Sequence, residues 1–187
     1  MINAVFDACI LHSAPLRDIL LRLAEEDLLM PFWTEHIHQE WMQNLLRNRP
    51  DLKRERVERT YRMLNEKFSD STVHGYEPLI PKLTLPDEND THVLAAAIKA
   101  NVPLIITYNI KDFPQAELAQ YALEAVTPDD CVMRIIDKHH TQFMKTVRKH
   151  RADLSRPPKT TEEYLATLEK QQLLKTADYL RKQQEFF

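Results

Sequence analysis

Several acidic residues could share a metal site, and they fall in four separate stretches of the chain: Asp7, Glu40, Asp87, Glu88, Asp90 and Asp112. Carboxylates gathered at one point do not all stay ionised unless a cation compensates their charge. Ligand sets made only of oxygen atoms favour hard ions, so the pattern favours Mg²⁺ or Mn²⁺ over zinc. Such an ion would lower the pKa of a bound water and stabilise charge on a reacting group.

Two apolar runs predict strands that bring some of these acids together. Asp7 directly follows the run Ala4–Phe6, and Asn109 and Asp112 follow the near-continuous hydrophobic run Pro103–Thr107. Continuous hydrophobic runs are typical of parallel strands buried on both faces. Open α/β sheets bind ligands at the carboxyl ends of their strands. If the two strands are parallel neighbours, the polar residues that follow them lie close together.

The other acids lie on predicted helices. Thr34 predicts the N-cap of a helix that carries Glu40 at the edge of its buried face. Asp90 falls in the first turn of a helix that runs to about Ala100, where the helix dipole favours a negative charge. Near the C-terminus, Thr160 and Glu163 form a capping box that predicts one last helix continuing to the end of the chain.

Composition indicates a soluble globular protein in which helices dominate. The chain has 187 residues, 43% hydrophobic and 28% charged, with one glycine, so it could form one large domain or a domain with an extension. It contains no apolar run of the roughly 18–20 residues that a membrane span needs. The N-terminus shows no signal-peptide pattern. Both cysteines are therefore expected to be reduced thiols, and we expect a cytoplasmic protein.

The net charge of −3 excludes a general basic field that would attract nucleic acid. Basic residues are nevertheless concentrated in two stretches, residues 47–67 and 145–151. Two interpretations stay open, a solvated helix face with i,i+4 ion pairs and a face that contacts phosphates. The candidates for phosphate contact are Arg47, Arg54, Lys145 and Arg148.

Ordinary structural roles exist for each of these residues. An aspartate can end a strand, begin a helix or cap a loop, so the functional interpretation depends on the acids occurring together. His36 and His38 are two residues apart on a predicted helix, which places them on different faces and argues against a shared site. Cys9 follows a buried strand and is interpreted as a small hydrophobic packing residue.

Four segments resemble the motifs of a known family. FDAC at Phe6–Cys9, TEHIHQEW at Thr34–Trp41, LPDENDTHVLAAAI at Leu85–Ile98 and TYNIKDFP at Thr107–Pro114 are similar to those of PIN-domain ribonucleases. The likeness is strongest to VapC-type toxins of bacterial toxin–antitoxin pairs. It covers about Met1–Asp137, and the motifs occur in the family's order.

The resemblance implies roles for individual residues. The acidic pocket, serving both as catalytic groups and as metal ligands, would be Asp7, Glu40, Asp90 and Asp112. The supporting residues would be Thr107, Asn109 and Asp87. Some relatives have an aspartate at the position of Asn109, so the number of bound ions is left open.

The resemblance also implies the architecture and the activity. The fold would be α/β and PIN-like, with a short central parallel sheet flanked by helices, a nuclease domain over residues 1–137 and a helical C-terminal extension over residues 138–187. The expected activity is Mg²⁺- or Mn²⁺-dependent hydrolysis of RNA by a toxin that pairs with an antitoxin and forms a homodimer. The alternative is a catalytically inactive PIN-fold module that binds RNA or protein. Metal-assisted hydrolysis needs no 2′-hydroxyl, so structured DNA also stays open as a substrate.

Overall fold

The computed structural model describes residues 1–155 and 157–183. Its strands are β1 (Ile2–Phe6), β2 (Leu29–Phe32), β3 (Leu104–Ile106) and β4 (Glu124–Val126). Its helices are α1 (Ala8–His12), α2 (Ala14–Glu25), α3 (Glu35–Asn48), α4 (Arg54–Lys67), α5 (Thr91–Ala100), α6 (Gln115–Leu118), α7 (Pro128–Asp153), α8 (Thr161–Lys170) and α9 (Leu174–Lys182). Short 3-10 turns occupy much of the chain between α4 and α5 and the segment Ile110–Asp112.

The strands form one four-stranded sheet in the order β2-β1-β3-β4. β1 and β3 are parallel, with Phe6 opposite Ile106, and β3 and β4 are parallel, with Ile106 opposite Val126. All three residues of β3 are buried, as the continuous hydrophobic run predicts. The predicted α/β fold with a short parallel sheet flanked by helices is confirmed. The carboxyl ends of β1 and β3 therefore lie side by side.

Contacts divide the chain into two compact units. The sheet unit comprises Asn3–His12 and Pro31–Val126, and the helical unit comprises Met1–Ile2, Ser13–Met30 and the described residues from Thr127 onward. In the sheet unit, α1 packs against α3, and α5 packs against β3. The alanine run of α5 is fully buried, because small side chains allow a close approach between a helix and its neighbours.

In the helical unit, α7 contacts both α2 and α9. Thr127 caps α7 by accepting the Asp130 N–H at 3.1 Å, and the helix changes direction at His139, whose backbone is non-helical. The domain boundary predicted after residue 137 falls inside α7 and stays a prediction. None of the helices in the described ranges is long and apolar enough to cross a membrane.

The prediction of one last helix is wrong, although its start is right. The capping box at Thr160 and Glu163 is present, with the Glu163 carboxylate accepting the Thr160 N–H at 2.9 Å. The helix ends at Lys170, and α9 begins at Leu174. Between them Gln172 adopts a left-handed φ of 58°, which interrupts the helical conformation. The predicted continuation over residues 184–187 lies outside the described residues.

Candidate functional site

The site is built around Asp7, the first residue after β1. Only 3% of its surface is exposed. Its backbone N–H donates to the Ile106 carbonyl at 3.1 Å, which continues the pairing of β1 with β3. Thr107, the first residue after β3, donates its hydroxyl to Asp7 Oδ2 at 2.6 Å. The parallel register of the two strands thus joins residues that are 100 positions apart in the chain.

Hydrogen bonds connect the loop after β3 to the pair formed by Asp7 and Thr107. Thr107 Oγ1 accepts the Asn109 N–H at 2.9 Å. Asn109 in turn accepts the Asp112 N–H at its carbonyl, also at 2.9 Å, which closes the short turn Ile110–Asp112. Asp112 is half-buried in this turn, and Asn109 is exposed. The hydroxyl of Thr107 therefore orients both a carboxylate and the backbone of the loop.

Cys9 is a polar partner of Asp7, and its interpretation as a hydrophobic packing residue is wrong. Its thiol donates to Asp7 Oδ2 at 3.2 Å, and its sulfur accepts the Tyr108 N–H at 3.5 Å. Burial, and next the negative charge of Asp7, raise the pKa of the Cys9 thiol far above its usual range. The thiol thus stays protonated and remains a hydrogen-bond donor. The sequence feature that could have predicted this role is the position of Cys9, two residues after Asp7 and in the first turn of α1.

Glu40 lies on α3, which begins as predicted with Thr34 accepting the Ile37 N–H at 3.1 Å. Its carboxylate is 3.4 Å from Nε2 of His92, a buried residue of α5 that sequence reasoning did not single out. His36, one helical turn before Glu40, stacks on the His92 ring at a centroid distance of 3.9 Å. The imidazole of His92 therefore links α5 to the Glu40 carboxylate and to the neighbouring ring.

His36 and His38 lie in different surroundings, in line with their spacing. His38 is fully buried and accepts the indole N–H of Trp41 at its Nδ1, 2.9 Å away. Burial lowers the pKa of His38 to about 4, so this side chain is neutral at pH 7. It belongs to the core of the sheet unit, whereas His36 is exposed.

Asp90, the N-cap residue of α5, is a second residue of the site with a perturbed pKa. Burial, followed by the charges of Asp7, Asp87, Asp112 and Glu40, raises the pKa of Asp90 to about 7. Every other acid to which the family resemblance assigned a role therefore acts on one carboxyl group, whereas Glu88 does not. Asp87 itself is exposed and accepts the backbone N–H of Asn89 at 2.9 Å.

A cavity of about 300 Å³ opens between these elements. It is lined by Asp7, Ala8, Cys9, His12, Glu40, Trp41, Asn44, Asn48, Asp90 and Asn109. Four of the predicted site residues thus share one cavity, while Thr107, Asp112 and Asp87 lie outside its lining. His12, Asn44 and Asn48 had no sequence pattern that would single them out as site residues.

The donor set has the chemistry of a hard-cation site. Carboxylate and amide oxygens dominate the polar lining. Burial, and after it the charges of the neighbouring carboxylates, raise the pKa of Asp90, and a divalent ion would compensate those charges. As the side chains stand, however, the described ranges contain no group of three or more His, Cys, Asp or Glu residues close enough to hold an ion. The residues fit such an ion chemically, and binding it would draw the carboxylates together.

The candidate RNA-contacting residues are all exposed. Arg47 is on α3, and Arg54 is on α4, where its guanidinium pairs with Glu58 at 2.8 Å. Lys145 and Arg148 are both on α7 of the helical unit. The Arg54 pair fits the solvated-face interpretation, and the role of these four residues in binding stays a prediction.

Comparisons with known proteins agree with this architecture. Residues 3–111 match the family model described as "PIN domain", and residues 128–182 match the model described as "VapC50 C-terminal domain". The PIN match includes Asp7, Glu40 and Asp90 and ends one residue before Asp112.

A curated relative and the solved structures complete the comparison. The "Putative ribonuclease VapC50" of Mycobacterium tuberculosis is 38% identical over 63 residues, which are 34% of this chain and 37% of that protein. The alignment thus spans just over a third of the relative's length. No solved structure gives a significant match. Since the PIN model covers more than half of the chain, the protein belongs to the PIN-domain family and carries a C-terminal region similar to that of VapC50.

Proposed function

We propose that the protein is a Mg²⁺- or Mn²⁺-dependent endoribonuclease that acts as the toxin of a toxin–antitoxin pair. The observation that carries the proposal is the single cavity lined by Asp7, Glu40 and Asp90, where burial and then four neighbouring carboxylates raise the pKa of Asp90 to about 7. Structural carboxylates rarely repel one another in this way without a compensating partner, whereas functional sites concentrate such groups. The PIN family and the ribonuclease description of the relative support RNA as the substrate.

The proposed ligands are Asp7, Glu40, Asp90 and Asp112. A bound divalent ion supplies an acidified water and stabilises charge on the scissile phosphate. The protein's own side chains hold and orient the proposed ligands. The hydroxyl of Thr107 and the thiol of Cys9 both donate to Asp7 Oδ2, so they fix its rotamer and leave Oδ1 for a ligand.

Other residues of the chain have separate proposed tasks. Asn109 and Asp87 support the carboxylates from their loops. Arg47, Arg54, Lys145 and Arg148 bind the RNA backbone, since exposed cations recognise phosphates without regard to sequence. The nuclease domain of the proposal is residues 1–137, and residues 138–187 form its extension. A homodimer and an antitoxin that covers the acidic cavity are proposed by analogy with the family.

The test is cleavage of single-stranded RNA by the purified protein with Mg²⁺ or Mn²⁺, beside an equal digestion of single-stranded and structured DNA. We expect RNA to be cleaved and the rate to fall at least about 100-fold in Asp7→Asn and in Asp90→Asn. Asp70→Asn is the matched control, because Asp70 is an exposed acid of the sheet unit outside the cavity. Equal cleavage by the wild type and both site variants would refute the assignment.

A second candidate is a PIN-fold module that binds RNA or protein without cutting it. The spread of the acids favours it, because the described side chains include no trio already close enough to hold an ion. Calorimetry separates the two candidates. Binding of Mn²⁺ that disappears in Asp90→Asn supports the nuclease, whereas no heat of binding supports the module.

A further inference from the structure

The cavity of the sheet unit has a negatively charged part and a neutral part. Asp7, Glu40 and Asp90 carry the charge, and the same cavity is also lined by His12 and by the neutral amides of Asn44 and Asn48. Along α3, Glu40, Asn44 and Asn48 follow one another at intervals of four residues. That spacing keeps them on one face of the helix and moves each about 6 Å further along its axis. The neutral part therefore extends away from the acids along one side of α3.

His12 gives independent evidence that the neutral part is incomplete. It ends α1, which packs against α3, and it lines the cavity. Its Nε2 is shielded from solvent and has no hydrogen-bond partner within residues 1–155 and 157–183. Buried polar atoms without a partner are rare in folded proteins, because each one has lost its bonds to water. A ligand in the cavity supplies the missing bond once the His12 ring turns its Nε2 toward the cavity that the residue already lines.

We propose that His12, Asn44 and Asn48 form a nucleobase subsite beside the scissile phosphate, and that this subsite gives the enzyme its base preference. The inference rests on the proposed ribonuclease function and names what the same cavity recognises. A side-chain amide carries both donors and an acceptor, so it pairs with the edge of a base. An imidazole offers a ring for stacking as well as hydrogen-bonding nitrogens.

The neutral amides of Asn44 and Asn48 favour a base over other occupants of this part of the cavity. A phosphate would be drawn to Lys or Arg, and the basic side chain of a protein partner would be drawn to Asp7, Glu40 and Asp90. Neutral amides bind neither a phosphate nor a basic side chain strongly. Single-stranded RNA presents splayed bases whose edges are free for hydrogen bonding. A wrong base leaves polar groups of the subsite without hydrogen-bond partners. This weakens its binding, so the subsite discriminates between bases.

The experiment measures base preference. Short single-stranded RNA oligonucleotides that vary at one position on either side of the cleaved bond compete for the full-length protein, and the ratio of kcat/KM between the best and worst base is determined. We expect this ratio to fall about 5- to 100-fold in Asn44→Ala and Asn48→Ala, and also in His12→Ala. Gln43→Ala is the matched control, because Gln43 is exposed on the same helix and lies outside the cavity lining. It should keep the wild-type ratio.

Two outcomes of this experiment overturn the subsite. One is an unchanged ratio of kcat/KM between the best and worst base in the three cavity variants, which would indicate that this part of the cavity binds a protein partner instead of a base. The other is an equal loss of cleavage for every sequence, which would make these residues general supports of activity. Thermal melting of each variant confirms that it is folded.

A binding measurement separates failure of the subsite from failure of the nuclease proposal. Fluorescence anisotropy with the same oligonucleotides uses the Asp7→Asn protein, with and without Asn44→Ala. Base-selective binding that Asn44→Ala abolishes supports the subsite even if the wild type cuts no RNA, in which case only the nuclease proposal falls. Binding that is equal for all bases in the Asp7→Asn protein overturns the subsite even if the wild type is an active ribonuclease.

Discussion

The Thr107 hydroxyl donates to Asp7 Oδ2 at 2.6 Å and joins the ends of β1 and β3. The bond is buried, since both side chains are at most 3% exposed. Hydrogen bonds to a charged acceptor are stronger than neutral ones, and a buried carboxylate depends on them. This single contact therefore serves both the stability of the sheet edge and the orientation of the proposed metal ligand.

Thr107→Val should weaken both stability and activity. The substitution keeps the shape of the side chain but removes the donor to Asp7 and the acceptor of the Asn109 N–H. We expect the free energy of unfolding to fall by about 1–3 kcal/mol and RNA cleavage to fall about 10- to 100-fold. Urea unfolding and the cleavage assay measure the two effects.

The matched control is Thr146→Val. Thr146 is also buried, but its hydroxyl donates to the Gln142 carbonyl within α7 of the helical unit. It should lower stability slightly and leave cleavage unchanged. A similar loss of activity in both variants would show that Thr107 acts through stability alone.

Asp90 should make the metal-free protein less stable as the pH rises from about 4 to 7. The folded state holds the proton of Asp90 up to its raised pKa of about 7, whereas the unfolded chain releases it near the usual 3.8. Between these values the folded state binds more protons, so the free energy of unfolding decreases with increasing pH. Asp90→Asn removes this contribution, and urea unfolding in EDTA at several pH values measures it.

The difference between wild type and Asp90→Asn isolates this group from other titrations. Asp70→Asn should follow the wild-type curve, because Asp70 lies at the surface away from the acids that act on Asp90. Parallel pH curves for wild type and Asp90→Asn would contradict the prediction.

Mg²⁺ or Mn²⁺ should raise the melting temperature of the wild type. An ion that binds only the folded state stabilises it by about 2.7 kcal/mol when its free concentration is 100 times the Kd. The gain should be larger at pH 7.5 than at pH 5.5, because Asp90 must lose its proton to act as a ligand. Thermal unfolding at both pH values measures it, and Asp7→Asn and Asp90→Asn should lose it. An equal shift in the site variants would place the ion elsewhere.

Cys9 and Cys131 should both react slowly with iodoacetamide at pH 7. Burial raises the pKa of Cys131 to about 12, and burial together with the Asp7 carboxylate raises that of Cys9 further. The reactive thiolate is therefore scarce at both sites. Asp7→Asn should speed labelling of Cys9 severalfold without changing Cys131, as followed by mass spectrometry of the peptides. An equal change at both cysteines would indicate general loosening of the fold.

Asp129 should be important for docking α9 in the helical unit. Its buried carboxylate accepts the backbone N–H groups of Lys175 and Thr176 at 2.8 and 3.0 Å and the Thr176 hydroxyl at 2.7 Å. Asp129→Ala leaves these donors unpaired, so we expect a loss of about 2–3 kcal/mol in the free energy of unfolding. Asp137→Ala, at an exposed position of α7, should change it by less than about 0.5 kcal/mol.

Local patterns were enough to predict much of the fold. The apolar runs at Ala4–Phe6 and Pro103–Thr107 became β1 and β3, and Thr34 caps α3 as its type and position predict. These features depend on neighbours within a few residues, which a single sequence displays. The break at Gln172 was missed because a left-handed φ at a non-glycine residue has no strong local signature.

What the sequence determined by itself is the set of chemical groups and the elements that carry them: acids at the ends of strands and the starts of helices, a family resemblance, and a helical C-terminal region. Only the tertiary structure decided which groups meet. The order β2-β1-β3-β4 brings Asp7 to Thr107, the packing of α1 against α3 brings His12 and Asn44 into one cavity, and α5 delivers His92 to Glu40. These contacts depend on packing between residues far apart in the chain. The local periodicity of the sequence does not show which distant residues pack together.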